Sequence, residues 1–168
     1  MIGGKDGGNT MGKRIDLGAG DVRDGESSPD GYLRQDVDAS IEGLDIVCPI
    51  EELDKYVEPE SCERLRISHV LEHFATAEVP NILSVLHKCL EKGGELEVIV
   101  PNFAWHASLV QQGRDEDAVM YAFGGQLDQW DFHKTGFTPK ILYERVSEAG
   151  FTIKELLNES SITLIAVK

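Results

Sequence analysis

Arg14-Ile15-Asp16-Leu17-Gly18-Ala19-Gly20-Asp21 is the stretch on which the reading of this chain turns. Arg14–Leu17 has the character of a short strand, and Gly18-Ala19-Gly20 stops it. Two glycines at that point let the backbone turn tightly and approach a ligand with no side chain in the way. In a doubly wound sheet such a turn lies in the crevice beyond the carboxyl ends of the strands, where ligands bind. A Gly-x-Gly by itself fits a plain turn as well. A dinucleotide site is disfavoured, because Arg23 stands where the third glycine of GxGxxG belongs and Asp21 and Asp24 make the loop acidic.

Working outward, residues 1–13 are Gly-rich, polar and aperiodic and read as a flexible leader, with one domain expected over 14–168. Asp21–Gly31 is polar and ends in a turn signal, Ser27-Ser28-Pro29-Asp30-Gly31. Tyr32–Val37 and Leu44–Val47 predict the second and third strands, the latter halted by Pro49 and followed by a short helix near Glu51–Tyr56. Leu65–Ser68 is the fourth strand. The best helix spans Thr76–Leu90, where Val79, Ile82, Leu83, Leu86 and Leu90 recur at helical spacing, with Pro80 in its first turn and Gly93-Gly94 as its stop.

Glu95–Val100 predicts a fifth strand, closed by Pro101-Asn102. Phe103–Trp130 is mostly helical in composition, aromatic and irregular. Thr138-Pro139 signals a helix start with Thr as N-cap; Ile141, Leu142 and Val146 mark its apolar face and Gly150 its end. Phe151–Leu156 and Ile162–Val167 lie close enough to pair as an antiparallel hairpin. This order predicts a mostly parallel sheet with an antiparallel edge element.

The bulk numbers narrow the function. The 168 residues suffice for one core, and 41% hydrophobic with 27% charged residues is ordinary globular composition. No apolar run approaches the roughly 20 residues of a membrane span and no signal peptide opens the chain, so a cytoplasmic protein is expected. Cys48, Cys62 and Cys89 are scattered and odd in number, which speaks against a disulfide framework or a cysteine zinc site. The net charge is −14, and Asp16–Glu60 holds fourteen acids against three bases. Such a surface repels polyphosphates and anionic membranes, so nucleic acid is not an expected partner.

Sixteen residues past Gly20, at the end of the second strand, stands Asp36. An acid there can accept both hydroxyls of an adenosine ribose; Asp38 is its neighbouring alternative, and a solvated surface carboxylate the plain one. Together the glycine turn and this acid favour an adenosine-containing ligand without phosphates.

Four segments in order now resemble the class I S-adenosylmethionine-dependent methyltransferases. Ile15–Gly20 resembles their glycine motif, and Arg34–Asp38 the acidic motif of the second strand. Ile67-Ser68-His69-Val70-Leu71-Glu72-His73-Phe74 is similar to the segment after the fourth strand. Cys89–Leu96 with Val100-Pro101-Asn102 resembles the passage into the fifth. Beyond these four, Ala149-Gly150-Phe151 resembles the opening of the sixth. The resemblance covers residues 14–168.

The resemblance implies a Rossmann-like, doubly wound, mostly parallel seven-stranded sheet with an antiparallel C-terminal hairpin and truncated N-terminal helices. It implies S-adenosylmethionine as cofactor. Gly18 and Gly20 would pack under its methionine and ribose portions, with Asp16 orienting the turn. Asp36 would bind the ribose diol, the stretch from Cys48 to Ile50 would border the adenine, and Ser68 and His69 would lie near the sulfonium. The chain departs from the pattern in a short connection after Gly20, in Cys48-Pro49 where an acid often binds the adenine amine, and in Lys92-Gly93-Gly94 without the usual proline. A second copy of the chain or another partner is the candidate cover for the short amino terminus.

Methyl transfer needs alignment more than a fixed triad, though a base helps when the acceptor is a hydroxyl or protonated amine. His69 and His133 are the tentative catalytic residues. Trp105, His106 and Trp130 are the expected walls of a small-molecule or sugar-like acceptor pocket, with packing over the sheet edge as the plain alternative for these aromatic clusters. His73 is read as a structural hydrogen-bonder and His87 as solvent-facing. A non-catalytic S-adenosylmethionine- or adenosine-binding module of the same fold is the alternative function. His69–His73 also spells HxxEH, a zinc-peptidase order, which makes a metal-dependent hydrolase a weaker rival; no metal ligands are expected. An NAD-linked oxidoreductase ranks last.

Overall fold

The computed structural model describes residues 12–20, 28–127 and 129–168. Most of the expected leader, and the heart of the connection after Gly20, lie outside the described residues.

Seven strands, β1 (Lys13–Leu17), β2 (Leu33–Asp36), β3 (Ile46–Val47), β4 (Cys62–Ser68), β5 (Leu90–Pro101), β6 (Thr152–Asn158) and β7 (Ser161–Val167), form one sheet. Their order is β3-β2-β1-β4-β5-β7-β6. β1 to β5 pair in parallel, and β7 runs antiparallel to both β5 and β6. The expected mostly parallel sheet with a C-terminal hairpin is therefore present. Strand order reverses between β1 and β4, which puts a crevice at their carboxyl ends.

Alternation sorts the two faces. Leu65 and Ile67 of β4, Leu96, Val98 and Val100 of β5, and Ile162, Leu164 and Ala166 of β7 are buried. They form one core with Ile82, Leu83 and Leu86 of α1 (Val79–Cys89) and Leu142 and Val146 of α4 (Pro139–Glu148). On the other face, β1, β4 and β5 carry charges paired across the strands: Arg64 Nη2 lies 2.7 Å from Glu95 Oε1, and Arg66 Nη1 2.8 Å from Asp16 Oδ1. The expected truncation of the first helix falls mainly on residues 21–27, which lie outside the described residues.

Local signals held unevenly. Pro80 sits in the first turn of α1, and the Thr138 hydroxyl caps α4 by accepting from Ile141 N at 3.3 Å. Gly93-Gly94, expected to stop the long helix, does not: α1 ends at Cys89 and β5 starts at Leu90. The glycines instead sit in a register shift against β4, where a Cβ on Gly94 would meet Cys62 O at 3.0 Å. Ile141 is exposed rather than packed. His87 is not solvent-facing; it lies half-buried edge-on to Phe151, with ring centroids 4.9 Å apart. The aromatic stretch forms α2 (Phe103–Gln111) and α3 (Asp115–Phe123), and the residues described between Phe123 and Trp130 are not helical. Among the described residues no helix is long and apolar enough to cross a membrane.

Candidate active site

At the end of β1 the chain turns with φ +64° at Gly18 and +59° at Gly20. Both values lie in the left-handed region that glycine enters without penalty. Gly18 has a second reason to be glycine, since a Cβ there would collide with the Val70 side chain. Three bonds stitch this turn to β2: Gly18 N donates to Gln35 Oε1 (3.2 Å), Ala19 N to Gln35 O (2.9 Å) and Gly20 N to Asp36 Oδ2 (3.0 Å). Gln35 is buried, and its Nε2 donates onward to Cys48 O at 2.6 Å. One amide thus ties the ends of β1, β2 and β3 together.

Asp36 Oδ1 accepts from Asp38 N at 3.0 Å, so each carboxylate oxygen holds one backbone N–H and keeps a further lone pair. Asp16 is buried beneath the turn. It pairs with Arg66 and accepts from the Ser28 hydroxyl at 2.5 Å, anchoring the far side of the loop.

A cavity of about 340 Å³ opens over this frame. Gly18, Gln35 and Asp36 form its floor, Val37, Pro49, Ile50, Val70 and Phe74 its apolar walls, and Glu51, His73, Gln129, Trp130 and Lys134 its polar rim. Of the residues expected around a cofactor, Gly18, Asp36 and Ile50 line it; Asp16, Gly20, Cys48, Ser68 and His69 do not. Cys48 turns into the core, where burial above all, and then Glu52 and Glu51, push its thiol up to about 11. Trp130, expected at the acceptor, borders this cavity instead.

A second cavity, of about 390 Å³, gathers His69, Glu72, His73, Trp105, His106, Tyr121, Asp131 and His133 with Pro101, Ser160 and Ser161. His73 lines both cavities. Four of the predicted residues, His69, Trp105, His106 and His133, are brought together here.

The second cavity is firmly framed. Asn102 is buried; its Oδ1 caps α2 at Trp105 N (3.3 Å), and its Nδ2 donates to Asn158 Oδ1 and Glu159 O, both at 2.7 Å. That fixes the start of α2, and with it Trp105 and His106. The His106 ring stacks on Tyr121, with centroids 4.5 Å apart and planes 14° from parallel. Burial first, then the charges of His133 and His69, hold His106 below the ordinary histidine range.

His69 has φ +54°, a backbone conformation uncommon for a side-chain-bearing residue, and its N–H is held by Ile99 O at 2.8 Å. His73 Nδ1 lies 3.2 Å from Phe132 O, in the structural bond expected of it, and His133 Nδ1 lies 3.0 Å from Tyr121 O. Carbonyls only accept, so in both rings Nδ1 carries the proton.

Leu71–His73 is a single 3₁₀ turn and not part of a longer helix. His69 and His73 therefore do not form the helical i, i+4 pair that the HxxEH order requires. Sequence reasoning also passed over Gln35, Glu72, Tyr121 and Lys134. For Gln35 a signal existed, an amide at the inward position of a short central strand. Glu72 has no role in the sequence reading although it stands inside the segment after the fourth strand; its burial depends on tertiary packing.

By sequence the chain matches no protein-family model and no curated protein. By structure it is similar to an S-adenosylmethionine-dependent methyltransferase from Methanosarcina mazei, with TM-score 0.66 and 16% identity over 94% of this chain and 92% of that one. A second such enzyme, from Mesorhizobium loti, aligns with TM-score 0.65 and 13% identity over 93% and 90%. The 1,6-didemethyltoxoflavin-N1-methyltransferase of Burkholderia thailandensis, solved with its acceptor and S-adenosylhomocysteine, aligns with TM-score 0.61 and 17% identity over 94% and 71%. With its strand order and C-terminal hairpin, the chain has the fold of the class I S-adenosylmethionine-dependent methyltransferases.

Proposed function

We propose that the chain transfers a methyl group from S-adenosylmethionine to a small-molecule or sugar-like acceptor. The observation that carries this reading is the pair of cavities meeting at His73, one floored by the glycine turn and Asp36, the other walled by histidines and aromatics.

The residues of the first cavity fit the cofactor. Asp36 retains the lone pairs needed for two ribose hydroxyls, and Pro49 and Ile50 offer an apolar wall to the adenine. Gly18 keeps the floor free of side chains. Lys134 is the cationic residue of the lining and would take the methionine carboxylate; Glu51 and Asp36 suit the positive ammonium and sulfonium. When bound, S-adenosylmethionine supplies a methyl carbon activated by a sulfonium leaving group.

The second cavity would hold the acceptor against Trp105 and His106. Its nucleophile would point past His73 towards the first cavity, so that confinement supplies most of the acceleration. His69 or His133 would take the acceptor proton; His133 Nε2 bears the lone pair this needs, because Nδ1 donates to Tyr121 O. The test is to incubate the protein with S-adenosylmethionine and a panel of hydroxyl and amine acceptors and to measure S-adenosylhomocysteine. Acceptor-dependent product that Asp36→Ala removes supports the reading. Saturable cofactor binding without product from any acceptor would favour the non-catalytic binding module.

A further inference from the structure

We infer that Glu72, His73 and His133 bind one first-row divalent transition-metal cation in the second cavity. One ligand-capable atom from each residue lies within 4.8 Å of the other two. Modest side-chain rotation would bring such a set to the roughly 2.0–2.2 Å bonds of nitrogen and carboxylate ligands.

Glu72 gives the strongest independent reason. Its side chain is 2% exposed, and among the described residues neither carboxylate oxygen has a hydrogen-bond partner. His69 Nδ1 lies 3.3 Å from Oε1, without the alignment of a hydrogen bond. A buried carboxylate left in that state is costly unless a cation or a proton balances it.

The two histidines are already prepared as ligands. Each spends Nδ1–H on a backbone carbonyl, Phe132 O for His73 and Tyr121 O for His133, which leaves Nε2 with its lone pair. Metal-bound imidazoles use this same outer hydrogen bond to fix tautomer and ring direction. The backbone is pinned as well: Glu72 O accepts from Lys134 N (2.7 Å) and Thr135 N (3.2 Å), holding the His133 loop against the 3₁₀ turn. The ring centroids of His73 and His133 are 5.1 Å apart.

Two imidazoles and one carboxylate suit zinc, manganese, iron, cobalt or nickel better than magnesium or calcium, which prefer all-oxygen shells. Three protein ligands would leave coordination positions free for a ligand in the cavity that Trp105 and Ser161 also line. On the proposed methyl-transfer reading, a cation there would take an acceptor oxygen and lower its pKa, and His133 would serve as a ligand and leave His69 as the base. This site replaces the sequence expectation of no metal, and it uses a different set from the His69–His73 pair that HxxEH suggested.

The test is calorimetric titration of the chelator-treated protein with Co²⁺ and Zn²⁺, with Co²⁺ also followed by its visible absorption. Expected are one equivalent bound, a cobalt band, and at least a 100-fold loss of Co²⁺ affinity in both Glu72→Gln and His133→Ala. Circular dichroism checks that the variants fold, and His133→Asn stands in if the alanine variant does not. Metal-free Glu72→Gln should melt no lower than the parent, since the carboxylate it removes has no hydrogen-bond partner among the described residues. Failure of the folded parent to bind either ion, or unchanged affinity in the variants, would overturn the site. S-adenosylmethionine titrated into the same samples separates the two readings: cofactor binding without metal binding sinks only this site, and metal binding without cofactor binding sinks only the proposed function.

Discussion

Gly20 donates its backbone N–H to Asp36 Oδ2 at 3.0 Å, so the glycine turn after β1 and the acid at the end of β2 form one unit. The carboxylate is thereby oriented before any ligand arrives. Such preorganisation lowers the cost of binding, because the side chain gives up little further freedom.

Gln35 is the hinge of that unit. Gln35→Leu keeps the volume roughly but strands the part-buried Gly18 N–H and the buried Cys48 C=O. A loss of about 2–4 kcal/mol is expected from the two unmet groups, read by urea unfolding. Stability within about 0.5 kcal/mol of the parent would show that the amide bridge contributes little.

Gly18→Ala should be destabilising for two separable reasons, the positive φ and the collision with Val70. The conformational part is about 1–2 kcal/mol. In a Val70→Ala background the collision disappears and only that part should remain. A double-mutant cycle with no coupling between the two positions would rule out the collision.

Stability should fall as the solution is acidified from pH 7. The folded-state pKa of His106 lies below its ordinary value of 6.5, mainly through burial, so the unfolded chain takes the proton first. The contribution is fully present above the unfolded value, is lost as pH drops from 6.5 towards the folded value, and is flat below it. His87, lowered chiefly by burial, adds a slope of the same sign. Melting temperatures of the parent and His106→Gln across this window should show a shallower slope for the variant; parallel curves would contradict the assignment.

Asn102→Ala removes the cap of α2 and both ties to the β6–β7 turn. A cost of about 2–3 kcal/mol is expected. Because α2 carries Trp105 and His106, the packing of Trp105 on His106 and of His106 on Tyr121 should loosen too, visible as a change in tryptophan fluorescence.

Much of the fold was legible because strand and helix signals are local. Alternation in the fifth strand, the periodicity of Val79–Leu86 and the Thr138-Pro139 start each act within a few residues. The errors came where distant chain decides. Gly93-Gly94 looks like a helix stop, yet its role is set by Cys62 O, a backbone atom of the neighbouring strand. The solvent-facing reading of His87 fails because Phe151 and Gly150, far away in sequence, pack against its ring.

The site divides in the same way. The glycine turn and Asp36 are close in sequence, and their spacing alone pairs them. The grouping of Glu72 and His73 with His133 depends on how the loop after α3 folds back, and no spacing rule encodes that.

The most direct measurement is calorimetric titration of the chain with S-adenosylmethionine and S-adenosylhomocysteine, with Asp36→Ala alongside. Expected is saturable one-to-one binding of both ligands and at least a 100-fold loss of affinity in the variant, since two hydrogen bonds to a charged group are worth about 3–6 kcal/mol. Absence of binding by the folded parent at millimolar ligand, or equal affinity in Asp36→Ala, would contradict the assignment of the first cavity to the cofactor.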